Sequence, residues 1–192
     1  EIPDYWLRRP EFCLESSHLE HLEAAYQAQV SPARGDSIGG LEVPKWVFLN
    51  WLCEEKNLLM HGSVNPAIEE FELREPNAKD DDAFSQQTAV FAASDGIWPM
   101  FYALLDRKRM PMRILNGCLR FELEGERLSE PRYFFSITQG VLAQNPFVQG
   151  TIYVLSKAGF VVQPPYVLGA WTVHDPHWAS LEPVRPLAKQ SI

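Results

Sequence analysis

Helical periodicity and strand alternation occupy different halves of this chain, and that segregation limits the fold more than any other feature. Residues 16–29 place Leu19, Leu22 and Tyr26 on one helical face. A second helix is marked by Pro44 in its first turn and by the wide apolar face of Trp46, Val47, Phe48, Trp51 and Leu52. "TAVFAA" from Thr88 reads as a strand, Ser94-Asp95 as a helix N-cap, and the following residues as a helix to about Arg107. Strands then dominate. "LRFELE" sets Leu119, Phe121 and Leu123 against Arg120, Glu122 and Glu124, and "RYFFSI" can pair back through the turn Glu124-Gly125-Glu126. "GTIYVLS", "FVVQ" and "PVRPLAKQSI" continue the pattern, with prolines 164, 165, 183 and 186 confined to edges and loops. Helices early and strands late, without βαβ alternation, predict an α+β fold. No GxGxxG follows a strand and no Walker A sequence is present, so neither a Rossmann sheet nor a P-loop is expected.

A length of 192 residues suits one compact domain with an appended segment. Residues 1–40, ending in the turn-rich Ser31-Pro32-Ala33-Arg34-Gly35-Asp36 and Gly39-Gly40, are expected to form an N-terminal helical arm, and 41–192 the main domain. Seventeen basic against 25 acidic side chains leave a net charge of −8, which disfavours a nucleic-acid backbone or an anionic membrane as partner. The triplet Arg107-Lys108-Arg109 reads as a solvated helix C-terminus. Three cysteines without CxxC spacing suggest reduced thiols. No apolar run reaches the roughly 18 residues of a membrane span. Without a signal-peptide pattern, a cytoplasmic location is expected.

Several constellations could carry chemistry. Cys13, His18 and His21, and separately His174, Asp175 and His177, contain metal-ligand residue types, but neither set has a zinc spacing, and no metal is expected. Asp80-Asp81-Asp82 lacks the ligand alternation of a calcium loop and reads as a solvated loop. Ser63 or Ser94 could serve a hydrolase triad, though no GxSxG elbow exists. The remaining set is "LLMHGS", an apolar strand ending in His61-Gly62-Ser63, together with "AVFAASDGIWPMFYALLD". His61 could be a satisfied strand-end polar group, and Phe91, Trp98 and Tyr102 core aromatics.

Taken in order, these pieces resemble the ADP-ribosyltransferase superfamily in its His-Tyr-Glu branch, which includes the poly-ADP-ribose polymerases and small bacterial relatives. An apolar strand ending in His-Gly-Ser matches at His61, Gly62 and Ser63. Val90-Phe91-Ala92-Ala93 matches the second strand, with phenylalanine where the family usually has tyrosine, and the helix tyrosine falls on Tyr102. "AIEEFELREP" resembles the run after the His-Gly motif in small relatives, aligning Ile68, Phe71, Glu72 and Arg74, with Leu73 replacing a proline. "GTIYVLS" and "HWASLEPVRPLAK" resemble their closing strands. The resemblance covers about residues 46–188.

The resemblance implies split antiparallel sheets with flanking helices and cleavage of the nicotinamide–ribose bond of NAD, used as a substrate, with transfer of ADP-ribose to an unidentified acceptor. The transition state would be oxocarbenium-like. Phe91 and Tyr102 would wall a nicotinamide slot. The Gly62 backbone would meet the carboxamide, assisted by Ser63. His61 would bond a ribose hydroxyl, and Arg74 would join the nucleotide-binding set. Glu182 would be the late carboxylate that stabilises developing positive charge. Relatives often carry a glutamate just before the tryptophan, where this chain has His177. Without a placed carboxylate the chain would be a non-catalytic nucleotide-binding or interaction module. A relative by fold performs RNA 2′-phosphotransfer with basic residues that this acidic chain does not obviously supply.

Overall fold

The computed structural model describes residues 2, 4–75, 82–125 and 127–192. Pro76, Asp80 and Asp81 of the motifs above, and Glu126 of the expected turn, lie outside the described residues. The fold is α+β, with two mostly antiparallel sheets and three α-helices among those residues. In chain order the strands are β1 Leu7–Arg8, β2 Asp36–Ser37, β3 Leu58–Ser63, β4 Val90–Ala93, β5 Ile114–Leu123, β6 Arg127–Leu128, β7 Arg132–Ile137, β8 Thr151–Ser156, β9 Phe160–Val162, β10 Tyr166–Leu168, β11 Trp171–His174, β12 His177–Ser180 and β13 Ala188–Ser191. The helices are α1 Ser16–Ala25, α2 Lys45–Glu55 and α3 Trp98–Leu104.

One sheet runs β1-β7-β5-β11-β10, with β6 also on β5, and is built around the hairpin that the "LRFELE" and "RYFFSI" alternation predicts. The other runs β2-β13-β8-β3-β4-β12-β9, where only β2 and β13 pair in parallel. Alternation along β3 separates two packing faces. Leu58 and Met60 join the cluster formed with Phe48, Leu49 and Leu52 of α2, whereas Leu59 packs with Phe71, Tyr153 and Leu155 on the opposite face.

The first forty residues, expected as an arm, supply one edge strand of each sheet. They also bury Leu22 and Val30 completely against α2. Trp6 packs edge-on to Phe121 of β5, with ring centroids 5.8 Å apart.

Three elements differ from the sequence expectation. The first helix is α-helical only to Ala25 and then widens into a π-helical turn over Tyr26–Val30, where Ser31 N–H reaches back to the Tyr26 carbonyl. This turn keeps Tyr26 against Trp51 and brings Val30 into the core, while Leu19 is left exposed. The helix expected to reach Arg107 stops at Leu104, because Leu105 adopts an extended conformation and bridges Phe147. Arg107-Lys108-Arg109 therefore forms a turn rather than a helix end, with Asp106 accepting from the backbone and Nε of Arg109. The proline-rich stretch after β9 yields a hairpin, β10–β11, around Gly169 at φ 62°.

Candidate functional site

The candidate site centres on the place where β3 and β4 part. β8 accompanies β3 over its whole length, but β4 pairs with it only at Met60–Ala93. The gap beyond is spanned by a side chain: His61 Nδ1 donates to the Phe91 carbonyl at 2.6 Å. Its ring rests on Phe71, centroids 4.5 Å apart, and Phe71 is pinned by backbone bonds to Val184. Burial holds the imidazole below its ordinary pKa against the pull of the Phe91 carbonyl, and the nearby Arg74 charge adds to the depression. The neutral ring with Nδ1 protonated leaves Nε2 as a lone-pair acceptor. The exposed Arg74 is fixed through its backbone to Ala89. Ser63 Oγ accepts the Asn65 N–H and turns the chain out of β3.

Phe91 projects to the other face. Its ring stacks on His177 of β12 (5.0 Å, 28°), and His177 also meets the edges of Phe84 and Trp98 at 5.4 and 5.6 Å. Tyr102 lies further along that face: its hydroxyl and the indole N–H of Trp98 both donate to Asn116 Oδ1 on β5, at 2.9 and 2.6 Å. Burial raises the Tyr102 pKa, keeping the phenol neutral. His61 and the aromatic pair thus occupy opposite faces and meet through the Phe91 backbone. Phe91 and Tyr102 make no ring contact with each other among the described residues; Phe91 stacks on His177, His177 meets Trp98, and Trp98 shares Asn116 with Tyr102. Gly62 faces α3, where a Cβ would stand 1.9 Å from the Pro99 carbonyl oxygen.

Glu182 is exposed, beyond the end of β12, where Ser180 Oγ brackets its backbone. No hydrogen bond or ion pair among the described residues links its carboxylate to His61, Phe91 or Tyr102. The carboxylate linked to the aromatic face is instead Asp82, through Gln163 and His177. Asp82 accepts from the Ser85 hydroxyl and the N–H groups of Phe84 and Ser85. Burial opposes its charge, but those bonds outweigh burial and hold it below its ordinary pKa. Gln163 Nε2 donates to Asp82 at 3.1 Å, and Gln163 Oε1 lies 2.8 Å from His177 Nδ1. Asp175, in the turn before β12, accepts from the Tyr166 hydroxyl, and burial pushes its carboxyl up to about 7.

The Asp175 shift has a definite sign. Between its ordinary 3.8 and about 7, the folded state holds a proton that the unfolded chain has released. Its stabilising contribution is therefore present below about pH 4 and lost as pH rises through about 7. Asp175→Asn is expected to raise the Tm by a few degrees at pH 8 and to leave it little changed at pH 4. Equal shifts at both pH values in thermal melts would refute this.

The metal-type residues are employed separately. His18 Nδ1 accepts the Glu15 N–H that caps α1, His21 Nε2 bonds the backbone near Gly40, and His174 pairs with Glu122. Among the described residues no three His, Cys, Asp or Glu side chains gather as a metal-binding group. No helix there is long and apolar enough to cross a membrane. Cys13, Cys53 and Cys118 are free thiols.

Two clefts, of about 410 and 380 Å³, lie elsewhere, one beside Gly39 and Pro44 and one beneath Arg9, Phe12 and Trp46. No family model, curated protein or solved structure matches this chain. Sequence reasoning singled out His61, Phe91 and Tyr102, passed over Gln163 and Asn116, and took Asp82 for part of a solvated loop, whereas its carboxylate is bonded by Phe84, Ser85 and Gln163. Nothing local to those three marks them, since each acquires its role from a strand or turn distant in sequence.

Proposed function

We propose that this chain is an ADP-ribosyltransferase-like domain that binds NAD at the parting of β3 and β4 and transfers ADP-ribose to an acceptor. The observation that carries the reading is the neutral His61, fixed on the Phe91 carbonyl where the two strands separate. Its Nε2 can accept a ribose hydroxyl. The partly buried Phe91 ring offers its remaining surface for stacking of nicotinamide, and the exposed Arg74 supplies positive charge for the pyrophosphate. Tyr102 supports the aromatic face through Asn116 rather than forming the opposite wall.

A second reading, binding without turnover, is favoured by the exposure of Glu182 and by the histidine at position 177. Both readings require NAD binding. Titration calorimetry is expected to give saturable binding that His61→Ala weakens at least about tenfold, in line with loss of a well-placed hydrogen bond. Absence of binding at millimolar NAD would refute both. Nicotinamide release then separates them: Glu182→Gln abolishes it only if Glu182 is the transferase carboxylate.

A further inference from the structure

His177 is a polar side chain set among Phe84, Phe91 and Trp98, and its hydrogen bonding fixes which ring nitrogen carries the proton. Asp82 is ionised and can only accept, so Gln163 must turn its NH₂ toward that carboxylate. The Gln163 carbonyl oxygen is then the atom 2.8 Å from His177 Nδ1, which must donate to it. Burial depresses the imidazole to about 4 despite the pull of Asp82, so the ring is neutral near pH 7. A neutral ring with its proton on Nδ1 carries a lone pair on Nε2, and Nε2 has no hydrogen-bond partner among the described residues.

We infer that His177 is the general base of this site, its tautomer imposed by Asp82 through Gln163 and its Nε2 receiving the proton of the acceptor hydroxyl. The inference rests on the NAD reading of the site. In the step, the acceptor oxygen bonds to ribose C1′ as the C1′–N bond to nicotinamide breaks. The bonding pair leaves with the nicotinamide nitrogen and cancels its positive charge. The hydroxyl proton passes to Nε2, and the imidazolium later releases it to water. A weak base suffices, because the hydroxyl becomes strongly acidic only once its oxygen has bonded to an oxocarbenium-like carbon. The relay also gives the resulting imidazolium a nearby countercharge in Asp82.

The deciding experiment combines two measurements on the full chain. Nitrogen-15 NMR of the histidine rings reports the tautomer without reference to NAD. Titration calorimetry and nicotinamide release, on wild type, His177→Ala and Gln163→Leu, report binding and turnover. The expected results are an Nδ1–H tautomer for His177, lost in Gln163→Leu, and NAD affinity within about threefold of wild type in both variants. Nicotinamide release should fall at least about a hundredfold in His177→Ala, as for other general bases. An Nε2–H tautomer in the wild type overturns the inference while leaving the NAD reading intact. So does release unchanged by His177→Ala, or NAD binding with no release at all. Failure to bind NAD with the Nδ1–H tautomer present overturns the reading itself, and the role of His177 with it.

Discussion

Asp95→Ala is expected to destabilise the protein by about 3–5 kcal/mol, the range for breaking a buried charge pair by removing one partner. The carboxylate is 1% exposed and its two oxygens have different duties. Oδ1 caps α3, accepting the N–H groups of Ile97 and Trp98, both at 2.8 Å. Oδ2 accepts from the Tyr133 hydroxyl at 2.6 Å and from Arg9 Nη2 at 3.1 Å. Truncation strips the cap from a seven-residue helix, worth about 1 kcal/mol. It also leaves a largely buried guanidinium whose remaining ion pair among the described residues is with the more exposed Glu54. Asp95→Asn separates the contributions, since its amide oxygen can still cap α3 while the charge is lost. An intermediate loss is expected. Urea denaturation measures both variants, and a loss below about 1 kcal/mol for Asp95→Ala would show that Asp95 is not holding these elements together. Because Arg9 lies between β1 and α1, the same variant should loosen the N-terminal segment from α3. Protease cleavage within residues 4–15 would then become faster.

Asp95 also shows what was legible in the sequence. Ser94-Asp95 before an apolar run announces a cap, and the capping bonds are local. Its partners Arg9 and Tyr133 are 86 and 38 residues away, and nothing in the neighbourhood of either announces the pairing. The hairpin of β5 and β7 was readable because period-two alternation is a property of each strand alone. The early end of α3 was not, because it depends on Leu105 finding Phe147. In the site, His61 stood out through its position at the exit of an apolar strand. The His177 relay did not, because Gln163 and Asp82 are ordinary polar residues until β9 and the 82–85 turn bring them together. Exposure of Glu182 follows from where β12 ends, and strand ends are the least readable part of such a sequence.

Gly62→Ala is expected to lower stability by about 3 kcal/mol, the upper end of the usual range for overpacking, and to remove NAD binding with it. The motif suggests that glycine here admits a ligand. The geometry adds a second and more stringent requirement. A Cβ at this position would lie 1.9 Å from the Pro99 carbonyl oxygen and 3.3 Å from the Ala103 nitrogen. Both obstacles are backbone atoms, so no side-chain rotation relieves the clash, and α3 must lift from β3. That helix carries Trp98 and Tyr102, whose contacts with His177 and Asn116 set the aromatic face. Gly39→Ala is the control. A Cβ there meets nothing within 4 Å and the backbone φ is not positive, so a change within about 0.5 kcal/mol is expected. If Gly62→Ala is as stable as Gly39→Ala, the close approach of β3 to α3 is wrong. If it is destabilised yet binds NAD unchanged, then the position of α3 does not govern the site, and Tyr102 drops out of the nucleotide-binding set.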